Sequence, residues 1–239
     1  MTVRLTYSQN GEDTFVRELF EKINKKVEWV CEFGAWDGKH LSNTFTFIAN
    51  DNANAVLIEG DSTKFKKLEK RANTHTNITA INKFIDTKNT LDSILAGTKI
   101  PQNFDVLSID IDSNDLDIWE SVQSYDPICV VIEINNLIPP GVYKRHKDFS
   151  KEQRENKGDT WLNSFSSTID VGLAKGYTPV KHVGWNLIFI KNEYANQLGL
   201  NISTYDNLFN FRWIRREDKR KAKEAKRQRK FKKVQNDTA

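Results

Sequence analysis

The stretch Val30-Cys-Glu-Phe-Gly-Ala-Trp-Asp-Gly-Lys39 decides how the rest of the chain is read, because an apolar run stops there at an acid and two glycines four residues apart. Gly34 and Gly38 lack a Cβ, so the backbone turns tightly as a strand ends and a ligand has room against the main chain; Glu32 and Asp37 add acceptors beside the turn. The spacing predicts a strand, a pocket-forming loop and a helix. It is neither G-x-G-x-x-G nor a G-K-[ST] phosphate loop, and acids facing outward from it would repel phosphates.

Outward from this loop, apolar and helical segments alternate. Residues 27–33, 54–61, 78–84, 104–110 and 128–133 read as buried strands, separated by helical segments over 41–49, 62–73, 90–95 and 116–122. Strands recurring at intervals of roughly 25 residues predict an α/β, doubly wound, mostly parallel sheet with helices on both faces. Such sheets take ligands beyond the carboxyl ends of their strands. Glu32, Glu59, Asp86, Asp110 and Glu133 each follow an apolar run and fall at that edge. The competing reading is that polar residues end strands and cap the next helix. Glu59 is placed to accept both hydroxyls of a ribose, and Asp86 to contact an adenine amino group.

Upstream, Ser8-Gln-Asn-Gly-Glu-Asp13 precedes an amphipathic helix over 13–23 and either caps it or folds over a ligand. Downstream, residues 137–159 are polar and irregular, with the length of a lid or substrate loop. A helix over 160–175 follows, then two strands, 177–183 and 186–191, joined at Gly184-Trp-Asn as a hairpin.

The 239 residues suit one α/β domain, 1–208, and an appendage, 209–239. The total charge is +4, but residues 212–233 hold thirteen Lys or Arg against three acids, a net of +10, leaving −6 elsewhere. This tail has good helix formers and almost no apolar stripe, so it is a solvated helix or disordered; it binds a polyanion such as nucleic acid or only solubilises. No apolar run approaches 18 residues and no signal-peptide core opens the chain, so a cytoplasmic protein with no membrane partner is expected. Cys31 and Cys129 sit in apolar runs as buried thiols, not a disulfide or metal site. The oligomeric state is left open.

Glu32-x-Gly34-x-x-x-Gly38 resembles the first motif of class I S-adenosylmethionine (SAM) methyltransferases. The order of blocks, from Ser8-Gln-Asn-Gly-Glu-Asp13 through Glu32-Phe-Gly-Ala-Trp-Asp-Gly38, Val56-Leu-Ile-Glu-Gly-Asp61, Leu107-Ser-Ile-Asp-Ile-Asp112 and Val131-Ile-Glu-Ile-Asn135 to Gly184-x-Asn186, resembles the FkbM-type branch over about residues 6–192. The resemblance implies a seven-stranded, Rossmann-like methyltransferase sheet with SAM held by Glu32, Gly34, Asp37, Gly38 and Glu59; Gln9, Asp86 and Asp110 complete the candidate cofactor set. It also implies O-methylation of a small molecule or sugar. Asp110-Ile-Asp112-Ser-Asn114 departs from the branch's usual Asp-x-Glu-Gly.

Methyl transfer from a sulfonium needs a positioned acceptor and, for a hydroxyl, a base or metal. Asp110, Asp112 and Glu133 are the catalytic candidates, and Asp110, Asp112 and Asn135 offer hard oxygens for Mg²⁺. Alternatively, residues 112–115 only cap a helix. His182 and His40 are further candidate bases. The leading function is SAM-dependent O-methylation of a small-molecule or glycan acceptor; the rival is a nucleic-acid-binding protein, or an RNA or DNA methyltransferase, recruited through the tail.

Overall fold

Val30, Cys31, Phe33, Ala55, Val56, Leu57 and Ile58 are all buried, because the strands that carry them are covered by helices on both faces. The computed structural model describes residues 6–86, 89–112, 114–145, 162–200, 205–210 and 212. In chain order these form α1 (Glu12–Lys22), β1 (Trp29–Phe33), α2 (Phe45–Asp51), β2 (Asn54–Ile58), α3 (Ser62–Ala72), β3 (Ile78–Ile81), α4 (Leu91–Leu95), β4 (Val106–Ile109), α5 (Asp115–Ser121), β5 (Cys129–Glu133), α6 (Phe165–Ala174), β6 (Tyr177–Val183), β7 (Asn186–Lys191) and α7 (Asn192–Gln197), then a 3₁₀ turn, Tyr205–Leu208.

The strand order is β3-β2-β1-β4-β5-β7-β6. β1 to β5 run parallel, β7 is antiparallel to β5, and β6 is antiparallel to β7. This is the doubly wound, seven-stranded, Rossmann-like sheet the sequence predicts. The order reverses between β1 and β4, the switch point where such sheets open a crevice. Alternate residues serve two cores. Cys31, Phe33, Val56 and Ile58 face α4, α5 and α6, while Val30, Ala55 and Leu57 face α1, α2 and α3.

The β6–β7 hairpin keeps its expected bounds, and most other ends move by a few residues. Besides α6, which starts at Phe165 rather than 160, the largest shift is α2, which starts at Phe45 rather than 41. Residues 42–44 are instead wrapped around the Glu32 carboxylate, which competes with helix for their donors. At the far end, packing continues through Asn210. Phe209 is buried edge-to-face on Phe165 and stacked on His182, and the Asn210 N–H donates to His182 Nδ1 at 2.9 Å. Most of the expected lid, 146–161, and the basic tail beyond 212 lie outside the described residues. No helix among the described residues is long and apolar enough to cross a membrane. Cys31 and Cys129 are free and buried.

Candidate functional site

The glycine loop leaves β1 at Gly34, which has φ +75; a Cβ there would stand 1.6 Å from the Asp110 carbonyl oxygen. Only glycine lets β1 and β4 diverge this closely, and the residue is otherwise exposed. Gly38, at φ +73, is different. It is buried, and a Cβ would meet Leu68 Cδ1 at 2.7 Å and Leu57 Cδ1 at 3.2 Å. Gly38 is therefore a packing glycine under α3 rather than a surface for a cofactor.

The acids of this half are turned inward, a correction to the expected outward-facing set. Glu32 is buried; Oε2 accepts from Ser42 Oγ at 2.5 Å and Thr44 Oγ1 at 2.6 Å, and Oε1 from the Asn43 N–H at 3.0 Å. Burial raises its pKa, and these bonds offset part of the rise. Its work is to hold the loop's return into α2. Glu59 is also buried, and its two oxygens accept the N–H groups of Trp36 at 2.8 Å and Asp61 at 2.7 Å. It thereby pins Trp36 in the left-handed region, φ +48, where a bulky residue is strained. Asp37 accepts from the N–H groups of Lys39 and His40 and pairs with Arg71 at 3.4 Å. Partial burial pushes its pKa up, but these partners outweigh it and hold the carboxyl below the ordinary range.

Asp86 lies five residues beyond β3, where its Oδ1 accepts from the Asn89 N–H at 2.8 Å. Gln9 is exposed on the strap before α1. The strap is tied to the first turn of α1, whose N-cap Gly11 makes no side-chain capping bond. Asp13 accepts from Thr6 Oγ1 at 2.6 Å, the Tyr7 N–H at 2.8 Å and Ser8 Oγ at 2.7 Å. The strap reaches the glycine loop through a bridge between Ser8 and Leu41.

Across the switch point, β4 and β5 deliver a second set. Asp110, Asp112 and Glu133 each offer a carboxylate oxygen within 4.8 Å of the others. Burial, then the charges of Asp115 and Asp112, push the Asp110 carboxyl up to about 8. Burial and the charge of Asp110 raise Glu133 well above the carboxylate range, and the two carboxyls are hydrogen-bonded, as a pair sharing a proton is. Glu133 Oε2 is buried without a protein partner. Asp112 is exposed in the left-handed region, φ +60. Asp115 opens α5, whose N-cap Asn114 makes no side-chain capping bond, and it accepts from the Ile111 N–H of the preceding loop at 2.8 Å.

Asn135, two residues beyond Glu133, is buried. Its Oδ1 accepts from the Leu137 N–H at 3.0 Å, folding the chain after β5. Glu133 is the third carboxylate of the cluster. His182 takes the packed place that a lone histidine near a strand usually has. It is buried on β6, its Nε2 faces the Gly184 carbonyl at 3.1 Å, and burial pushes it down to about 4, so it is a packed histidine. His40 is exposed, edge-on to Trp36 at 5.2 Å.

No protein-family model matches the chain, and no curated protein matches it. Among solved structures, the N-terminal domain of EvdMO1, crystallised in the presence of S-adenosylhomocysteine (SAH) and D-fucose, is similar at 11% identity, with 77% of this chain and 83% of that one covered and a TM-score of 0.48. The plantazolicin methyltransferase BamL, in complex with a triazolic desmethylPZN analog and SAH, is similar at 12% identity, with 75% and 83% covered and a TM-score of 0.48. A SAM-dependent methyltransferase from Aquifex aeolicus is similar at 10% identity, with 76% and 88% covered and a TM-score of 0.42. Likeness at this level assigns no activity and no residue.

Proposed function

We propose that this chain is a SAM-dependent methyltransferase that methylates an oxygen of a small molecule or sugar, akin to the FkbM-type branch, with a methyltransferase unit that runs past the expected 208 to Asn210 and the basic segment after it as an appendage. One observation carries the reading. At the switch point of a β3-β2-β1-β4-β5-β7-β6 sheet, an exposed glycine backed by Glu59 on one side meets a triad of carboxylates on the other. The first suits a nucleoside and the second a hydroxyl that must lose a proton.

In this reading the nucleoside lies along the exposed Gly34 edge, with Glu59 beneath Trp36 as the ribose-facing acid. Each Glu59 oxygen keeps a lone pair beyond its backbone donor, enough to accept a ribose hydroxyl. The acceptor oxygen attacks the sulfonium methyl in line: the new C–O bond forms as the C–S bond breaks, SAH leaves, and the hydroxyl proton passes to the Asp110–Glu133 pair. The carboxyl, raised to about 8, is a stronger base than a solvated one once it has lost its own proton, so the step runs from the deprotonated pair, whose share grows as pH rises toward 8. The triad also fits a hard cation, because Glu133 Oε2 is buried and unsatisfied and all three donors are oxygens. Asp110, Asp112 and Glu133 would hold Mg²⁺, which would supply Lewis acidity at the acceptor hydroxyl.

The test is thermal denaturation with SAM and with SAH, followed by mass-spectrometric detection of SAH and methylated product over a panel of sugars. Stabilisation by both ligands and acceptor-dependent SAH formation are expected. A melting temperature unmoved by either ligand would contradict the assignment.

A further inference from the structure

At the mouth of the glycine loop Glu32, Glu59 and Asp37 are each engaged by donors of their own chain. Between the strap and the loop lies a crevice of about 300 Å³, lined by Thr6, Tyr7, Asp37, Lys39, His40 and Leu41. That volume is at the small end of ligand sites. Asp37 is spoken for by Arg71 and two backbone N–H groups. Lys39 is exposed and has no carboxylate partner among the described residues. Its ammonium stands 5.5 Å from the centre of the Tyr7 ring and 5.8 Å from that of Phe45, and these rings meet edge to face at 4.9 Å. Aromatic faces hold a cation in place without cancelling its charge, so the ammonium is positioned and still available. Leu41, which closes the crevice, is held in the left-handed region at φ +58 and is exposed, so the wall is a constrained loop rather than a collapsed apolar seam.

We propose that this crevice is an anion-recognition subsite that takes the carboxylate of a small molecule lying against the glycine loop, with Lys39 as its charge and Tyr7 and Phe45 as the platform. It rests on the methyl-transfer reading for what occupies the neighbouring loop. The carboxylate has two possible sources, the methionine tail of SAM or an acidic acceptor such as a uronic acid. The shared chemistry is a charge-assisted bond to Lys39.

The experiment uses the full chain as wild type, Lys39→Gln and Lys39→Arg. Calorimetry measures SAH and its decarboxylated analogue; with SAH present, NMR titration compares glucuronate with glucose. Lys39 is exposed, and circular dichroism checks that the variants fold. If Lys39→Gln weakens SAH by about tenfold or more while the decarboxylated analogue is unaffected, the carboxylate is the cofactor's. If it spares SAH and abolishes the preference for glucuronate over glucose, the carboxylate is the acceptor's. Lys39→Arg restores binding in either case. Equal affinities of wild type and Lys39→Gln for every probe, or no binding of any probe, overturns the subsite. Wild-type chain that ignores SAH and its analogue but loses glucuronate on Lys39→Gln keeps the subsite and sinks the methyl-transfer reading.

Discussion

The carboxylates after β1 and β2 and those after β4 and β5 share one rim and are treated in opposite ways. Glu32 and Glu59 meet hydroxyl and backbone N–H donors of their own chain. Asp110 and Glu133 meet chiefly one another, with Asp112 and Asp115 close by. Burying a carboxylate is tolerable when hydrogen-bond donors meet each oxygen, and costly when its neighbours are other carboxylates. The acids of the first half are thus held rigidly by donors of their own chain. The second stores unfavourable electrostatics, the usual mark of a site that awaits a proton, a cation or a substrate.

The seam between the halves is the place to break the arrangement most severely. Gly34→Ala would drive a methyl into the Asp110 carbonyl and impose φ +75 on an L-residue. A loss of roughly 4 kcal/mol or more, or failure to fold, is expected in urea unfolding. A loss under about 1 kcal/mol would mean that the two loops are not so tightly apposed.

The crowded half should be stabilised by removing charge. The folded-state pKa of Asp110 is raised far above its value in an unfolded chain, so the folded state holds the proton more tightly. Stability is then full below the unfolded pKa, near 4, and falls as pH rises toward about 8. Asp110→Asn should flatten that slope and raise unfolding free energy at pH 8 by roughly 2–4 kcal/mol in metal-free buffer. A destabilised variant with an unchanged slope would show that Asp110 is not the group under strain.

The satisfied half should respond the other way and more gently. Thr44→Val removes one of the hydroxyl donors to Glu32 and should cost about 1 kcal/mol. A gain in stability would place Glu32 with the strained acids.

Much of this rim was legible in the sequence, and the reason is its periodicity. Apolar runs ending in acids mark parallel strands and their carboxyl ends whether or not the acids have partners, so the sheet and the edge residues could be placed. The β6–β7 hairpin was legible because Gly184 and the alternation around it fix a turn locally. What each carboxylate does was not legible. Its partners arrive from far along the chain: Trp36 for Glu59, Ser42 and Thr44 for Glu32, Glu133 for Asp110. Only the fold decides that Glu59 is capped by backbone while Asp110 is crowded by acids. Likewise, nothing local distinguishes Gly34, which faces solvent, from Gly38, which faces Leu68. Lys39 gave no signal because its significance depends on Tyr7, more than thirty residues earlier, coming beneath it.

The most direct test of the central claim, that the β1–β2 half reads a nucleoside, is a calorimetric titration of SAH into wild-type chain and into Glu59→Gln. The account predicts one site per chain, weakened by ~1.5–3 kcal/mol in the variant through loss of a charged acceptor. Equal affinity in the two proteins, or no heat from the wild type, would contradict it.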